Sequence, residues 1–268
     1  MKVKLSKMKY TVMAILLLVS TAFGNRAFTH RIIANNAFTY GEKIEFRVHY
    51  GFVNAGYGSF EVAQKPEYID GREHYRITGK GRSASSFDWF YKVRDEYVTY
   101  MDKESLSPRR YQKQQEEGSY KDKDQVEFDQ KNKKLKGTKG ELDMPQYTQD
   151  IVSLAYYARC TPVSKLITGA TFPIDFYLDG KIYHISLKVL GREEIKTEVG
   201  RFKAIKIRPQ VIADRVFKDE ESMTLWVSDD ANLLPLRIQA DLLVGSIKVD
   251  ISKYSGVRNP TYAWIPEK

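Results

Sequence analysis

The chain has 268 residues, 43 of them Lys or Arg against 34 Asp or Glu, a formal charge of +9, and 42% hydrophobic with 13% aromatic content. Its one cysteine, Cys160, excludes an intramolecular disulfide framework and a lipid-modified N-terminal cysteine, so the fold must be held by its core. Cofactor and metal chemistry have no ligand set to start from: His30, His49, His74 and His184 lack metal-ligand spacing.

Lys2, Lys4, Lys7 and Lys9 precede an uncharged run from Tyr10 to Phe23, with small residues at Ala22 and Gly24. This is the succession of a secretory signal peptide, and the run falls short of the roughly 20 apolar residues that span a bilayer. Residues 1–24 are therefore expected to be a leader cleaved after Gly24, and 25–37 a flexible segment before the domain. Cleavage takes four lysines and no acid, which lowers the charge to +5. Nucleic acid is a poor partner for an exported chain of that charge. Export without disulfides fits the bacterial periplasm, with peripheral association to the envelope.

From residue 38 to 254 the pattern is that of one β-rich exported domain, with 255–268 as a C-terminal tail. Strands are expected at 43–51, 58–67 and 73–80, the last two joined by a tight turn at Asp70-Gly71. A short helix is expected at 85–91. It carries Phe87, Trp89, Phe90 and Tyr91, four aromatics in five positions, which cannot all point inward from one element. Strands follow at 95–101, 109–116 and 125–130, with turns at Glu117-Gly118 and Asn132. Lys131, Lys133, Lys134, Lys136 and Lys139 then form a basic hairpin suited to guarding a sheet edge.

Thr148 is placed to cap a helix in which Ile151, Val152, Ala155 and Ala158 recur at helical spacing before Pro162. This stretch, 140–166, is also where two subdomains would divide. Asp179-Gly180 suits a type I′ hairpin that sets Phe176 against Tyr183, Ile174 against Ile185 and Phe172 against Leu187. Further strands are expected at 183–196, 202–210 and 222–228, with a turn at Gly200. Gly245-Ser246 suits a type II′ turn that sets Leu242 against Val249 and Ala240 against Ile251. Arg237, Gln239, Asp241, Lys248 and Asp250 would face the other way.

Asp229 and Asp230 adjoin in TLWVSDDANLLPLRI, where one alternating run ends and another begins, and read as a solvent-exposed turn and not as a catalytic pair. Gly51, Gly56 and Gly58 match neither a dinucleotide nor a phosphate loop and read as a bend between strands. No catalytic constellation emerges. The fold class is mainly β: an antiparallel meander forming a curved sheet, half-barrel or barrel-like core with one or two short helices.

The segments FTYGEKIEFRVHYGFVNAGYGSFEV, FDWFYKVRDEYVTYMD, SLSPRRYQ, DIVSLAYYAR, LGREEIKTEVGRFKAIKIRP and LWVSDDANLLPLRI, in that order, resemble an uncharacterised family of exported Gram-negative proteins, domain of unknown function three thousand one hundred and eight. The resemblance runs from about Phe38 to Tyr254 and implies location, not activity. A shorter similarity links Trp226, Asp229, Leu234, Pro235, Leu236 and Arg237 to the closing strands of periplasmic lipoprotein carriers, whose curved sheet wraps an apolar cavity closed by helices. The first reading is a non-enzymatic protein binding an apolar or lipid-like ligand, with Phe87, Trp89, Phe90 and Tyr91 of the aromatic cluster and Trp226 and Arg237 of the carrier-like strands as candidate contacts. A structural protein docking an envelope partner is the second reading, and an enzyme acting on envelope polymers the third. No feature of the sequence sets an oligomeric state.

Overall fold

The computed structural model describes residues 28–211, 223–241 and 246–266, so the leader expected at 1–24 lies outside the described residues. Arg31–Lys268 is one compact unit. Its first strands are β1 (Lys43–Tyr50), β2 (Val53–Val62), β3 (Glu67–Ile69), β4 (Arg72–Ser83), β5 (Arg94–Asp102), β6 (Pro108–Glu117), β7 (Tyr120–Asp129), β8 (Lys134–Gly137) and β9 (Gly140–Asp143). The helix α1 (Ile151–Arg159) and a single 3-10 turn (Val163–Lys165) lead to β10 (Thr171–Leu178), β11 (Lys181–Thr197) and β12 (Gly200–Val211). Last come β13 (Met223–Ser228), β14 (Pro235–Asp241), β15 (Ser246–Ser255) and β16 (Trp264–Ile265).

Among the described residues all of these strands belong to one sheet, in the order β10-β11-β12-β13-β14-β15-β1-β2-β4-β5-β6-β7-β8-β9, with β16 on β12 and β3 on β4. Every pairing between strands is antiparallel, as sequential hairpins require. Because β15 pairs with β1, strands from the two ends of the sequence share the sheet. The path leaves β9 and β10 as its two edges. Side chains join these regions: Tyr177 of β10 packs with Tyr111, Val126, Phe128, Leu135 and Met144, and its hydroxyl donates to Asp124 at 2.6 Å. The sheet thus curves back on itself, with the lysine-bearing β8–β9 hairpin at one edge as the sequence suggests.

The hairpin at Asp179-Gly180 has the expected register, Phe176 facing Tyr183, Ile174 facing Ile185 and Phe172 facing Leu187. Both turn residues have positive φ, 49° and 81°, which is what a type I′ turn demands. Asp70-Gly71 does the same at 52° and 74°. The last hairpin differs from expectation. Ser246 is already in β15 and faces Asp241, Ala240 faces Ile247, and Ile238 faces Val249. Residues 242–245, Leu242 and Gly245 among them, lie outside the described residues. The expected register is off by four, an even number, so the same side chains stay on the same face.

Two local expectations are corrected. α1 is capped by Asp150, whose carboxylate accepts from Val152 N and Ser153 N while Ser153 Oγ accepts from Asp150 N, a capping box that Thr148 does not form. Its buried stripe is Val152, Ser153, Tyr156 and Arg159, and Ile151 is exposed. Residues 85–91 form no helix; they make successive turns in which Asp88 N bonds to Ala84 O and Tyr91 N to Phe87 O.

Of the segment 25–37, residue Arg31 donates to Ser105 O and Ile33 N to Glu104 O, and Ala37 is buried. Of the tail 255–268, Trp264–Ile265 pairs with β12 and Ala263 is buried. α1 packs on β4, β5 and β10. It marks one end of the sheet, where the connections 103–107, 144–150 and 229–234 gather. The hairpin tips 51–52, 118–119 and 179–180 and the loop 84–93 lie at the other end.

Candidate functional site

The concave face holds a cavity of about 740 Å³. Its two walls are built differently. From β11 to β15 the wall is branched aliphatic, because register aligns Val189, Ile207, Leu225, Ile238 and Val249 in one row across five strands. On β2 and β4 the facing row is bare. Phe46 faces Gly58, which faces Gly81, which faces Asp95.

These glycines make the space. A Cβ on Gly81 would meet only the Asp95 Cβ at 3.9 Å, and one on Gly58 would meet Lys80 O and Phe46 at 3.7–3.9 Å. Neither has a left-handed backbone, so nothing but the room they leave distinguishes them from alanine. Gly79 serves another purpose: its missing side chain admits the Phe60 ring, and Val152 of α1 lies 3.6 Å from where a Cβ would be. Of the three glycines read as a bend, Gly51 does lie in the β1–β2 turn with φ 55°, and Gly56 leaves room for Arg82 O, 2.4 Å from where its Cβ would stand; only Gly58 is part of the cavity floor, where it faces Gly81 of β4.

Lys113 of β6 brings a charge to the wall and is only 4% exposed. It binds Asp122 at 2.6 Å and also Asp179 from the β10–β11 turn. Lys139 reaches the same two carboxylates at 2.6 and 3.2 Å. Burial pushes the Lys113 ammonium down, but the bonds to Asp122 and Asp179 outweigh it and hold it above its ordinary value. The bonds from Lys113 and Lys139 in turn lower Asp122 to about 2. The cluster stays charged and ties β6, β7 and the β8–β9 turn to the β10–β11 turn. Arg159, also on the wall, is held by Glu42 at 2.6 and 2.8 Å.

Trp226 and Arg237 border the cavity, facing one another across β13 and β14. Their polar ends go elsewhere: Trp226 Nε1 donates to Glu193 at 2.5 Å, under Lys206, and Arg237 binds Asp250 and Lys196 O. Glu193 is therefore a hydrogen-bond partner within the sheet. Phe87, Trp89, Phe90 and Tyr91 are outside the cavity lining. Trp89 is 84% and Phe90 73% exposed, so neither ring is part of the core. The six candidate residues thus fall at two places.

Asp229 and Asp230 do sit in a turn, but Asp230 is 6% exposed, which corrects the expectation of a solvent-exposed pair. Its carboxylate accepts from Ser228 Oγ at 2.8 Å, Asn232 N at 3.1 Å and Ala263 N at 3.1 Å. Asp229 pairs with Arg192 at 2.8 Å. The turn is where the C-terminal segment docks, a contact between distant residues that the local pattern does not announce. His49 binds Asp250, His184 binds Asp175 and His74 lies beside Asp102; among the described residues no group of His, Cys, Asp or Glu could hold a metal ion. Burial pushes the Cys160 thiol up to about 12, which leaves it unreactive at neutral pH.

Among solved structures the chain is similar to a beta-barrel-like protein of domain of unknown function DUF1849 from Brucella abortus, at 9% identity over 84% of this chain and 98% of that one, with a TM-score of 0.49. It is also similar to a candidate lipoprotein from Parabacteroides distasonis (11% identity, 85% and 100% coverage, TM-score 0.38). A third is a candidate exported protein with a YmcC-like fold from Bacteroides fragilis (8%, 84% and 99%, TM-score 0.34). No curated protein matches. The model of the family described as Protein of unknown function (DUF3108) matches residues 45–252, and the chain belongs to that family.

Proposed function

We propose that this member of the DUF3108 family is an exported, envelope-located protein that binds an apolar or lipid-like ligand in the concave face of its sheet and performs no reaction on it. The observation that carries the reading is the cavity itself. Its volume lies in the range of ligand sites, and its aliphatic wall faces a floor cleared by Gly58 and Gly81. A core that needed only to be filled would place side chains there, since close packing is the rule in protein interiors. The ion cluster at Lys113 offers a polar end to an otherwise apolar site, which suits a ligand with a polar head. Export is supported by the leader pattern at 1–24 and by the family resemblance.

The test is uptake of the dye N-phenylnaphthylamine, whose fluorescence rises in apolar surroundings. The parent should take it up, and Gly81→Leu should abolish uptake while melting at or above the parent temperature, because the new side chain enters open space. A parent that takes up no dye, or a Gly81→Leu variant that takes it up unchanged, would sink the reading.

A further inference from the structure

Three connections at the loop end present apolar side chains that no described residue covers. Phe52 stands at the tip between β1 and β2, Trp89 and Phe90 in the loop between β4 and β5, and Tyr120 just past the tip between β6 and β7. The tips are neighbours. Ala84 N donates to Ala55 O, Gly118 N donates to Lys92 O, and the edge of the Tyr91 ring lies 3.1 Å from where a Cβ on Gly118 would stand.

The central loop is fastened at its base. Asp88 accepts from Ser83 Oγ at 2.5 Å and from Arg94 at 2.6 Å, and Ser83 Oγ in turn accepts from Val93 N at 2.9 Å. Trp89 and Phe90 are thus held outward by a built device; their rings meet edge to face at 6.0 Å. Beside them stand two exposed cations, Lys92 and Arg82, that make no ion pair among the described residues; the Arg82 guanidinium lies 4.4 Å over the Tyr57 ring.

This arrangement favours one kind of partner. Separate convex tips need a surface that deforms around each of them, whereas a folded partner would need a pocket matched to every tip. Exposed aromatics with cations beside them match the layering of a bilayer interface, where rings sit at head-group level and Lys or Arg meets phosphate. The cavity also reaches this end, through Gly81, Gln115 and Asp179, so an apolar ligand could pass between bilayer and cavity with little exposure to water.

We propose that this rim docks the protein on a phospholipid bilayer, with Phe52, Trp89 and Phe90 entering the interface and Arg82 and Lys92 meeting lipid phosphates. The proposal deepens the reading of the cavity as a lipid-like site, from which it takes its purpose, but its geometry stands apart from it. The test is co-sedimentation of Arg31–Lys268 with vesicles of phosphatidylethanolamine and phosphatidylglycerol. That compact unit lacks the apolar run at 10–23, which would bind vesicles by itself.

The parent should sediment with vesicles and its tryptophan emission should shift to the blue. The triple variant Phe52→Ser, Trp89→Ser, Phe90→Ser should stay in the supernatant, with melting and dye uptake as in the parent. A parent that ignores vesicles, or a triple variant that sediments as the parent does, overturns the proposal. So does a parent that is dimeric by analytical ultracentrifugation and turned monomeric by the triple change, since the rim would then serve a second copy. Should the triple variant not fold, the double variant Arg82→Glu, Lys92→Glu decides: undiminished vesicle binding at low salt overturns the proposal. Vesicle binding without dye uptake would keep the rim and discard the cavity reading, so the two fail separately.

Discussion

At the helix-covered end Glu42, Asp102, Asp150, Arg159 and Asp230 are each less than a tenth exposed, whereas at the loop end Phe52, Trp89 and Phe90 stand almost wholly in solvent. Both ends reverse the usual placement of residue types, for opposite reasons. Each of the buried charged groups has a hydrogen-bonded partner, so it fixes one geometry and is costly to disturb. The exposed rings contribute little to the fold and are free to contact something else. Stability and binding are thereby separated along the sheet, and the separation can be tested at both ends.

The largest effect belongs to Arg159. Its guanidinium reaches Glu42, Asn232 O and Ala37 O, joining α1 to the start of β1 and to the 229–234 turn. Arg159→Ala should cost about 3–5 kcal/mol in denaturant unfolding, because Glu42, fully buried, is left without its partner. The double variant Glu42→Met, Arg159→Met should recover most of that loss. A single variant that unfolds like the parent would show that this end is not where the stability lies.

Acid should act on the same end. Burial raises the Asp102 carboxyl, but bonds from Arg72 and Ser105 outweigh it and hold it at about 2, against an ordinary value of 3.8. A lowered carboxyl contributes stability above its unfolded value and loses it as pH falls, here between about 4 and 2, by about 2 kcal/mol. His74 beside it is lowered by burial, so it also removes stability as pH falls below its ordinary 6.5. Asp150 has the opposite sign: burial raises it to about 6, and stability is gained as pH falls from there toward 3.8. Asp102→Asn should therefore flatten the acid limb between pH 4 and 2. Chemical unfolding at stepped pH reads this directly, and an unchanged acid limb would contradict it.

A smaller step separates two neighbours. Asp230→Asn should cost about 1–2 kcal/mol, since the carboxylate that receives Ser228, Asn232 and Ala263 loses its charge and gains a misplaced donor. Asp229→Asn should change unfolding by less than about 0.5 kcal/mol, because its partner Arg192 is exposed. Equal effects at both positions would mean that the turn is as solvated as its sequence implies.

The sequence disclosed what local chemistry determines and withheld what distant contacts decide. Asp179-Gly180 left one turn type open, and the facing residues of β10 and β11 followed from it. At the last hairpin Gly245-Ser246 suits a turn, yet Ser246 lies in the strand; the alternation survives because it is a property of the strand, whereas the register shifts because it is a property of the turn. From the sequence the cap is expected at Thr148; the cap is Asp150, because Ser153 at the third helical position returns the bond to the Asp150 N–H. Glu42 and Arg159, or Asp230 and Ala263, carry no common signal, since nothing in the local pattern of either partner points to the other. The cavity floor lies between: the alternating glycines were visible, but only the pairing of β2 with β4 brings them together.

The smallest expected effect is the sharpest test of the division between the two ends. If Trp89 were part of the core, its truncation would cost about 3–5 kcal/mol, the usual penalty for a large buried aromatic. The indole is 84% exposed, and the Phe90 ring it meets is itself 73% exposed, so truncation removes almost no buried area. Trp89→Ala should then shift unfolding by less than about 0.5 kcal/mol, as other surface substitutions do. The loop would keep its shape, because Asp88, Ser83 and Arg94 fasten it without the indole. Gly118 would likewise still sit against Tyr91. A melting loss of several degrees would place the ring in the fold after all and remove the rim as a surface available to a partner. An unchanged melting temperature leaves the apolar tip with no role in stability, and its role must then be sought in what the protein touches.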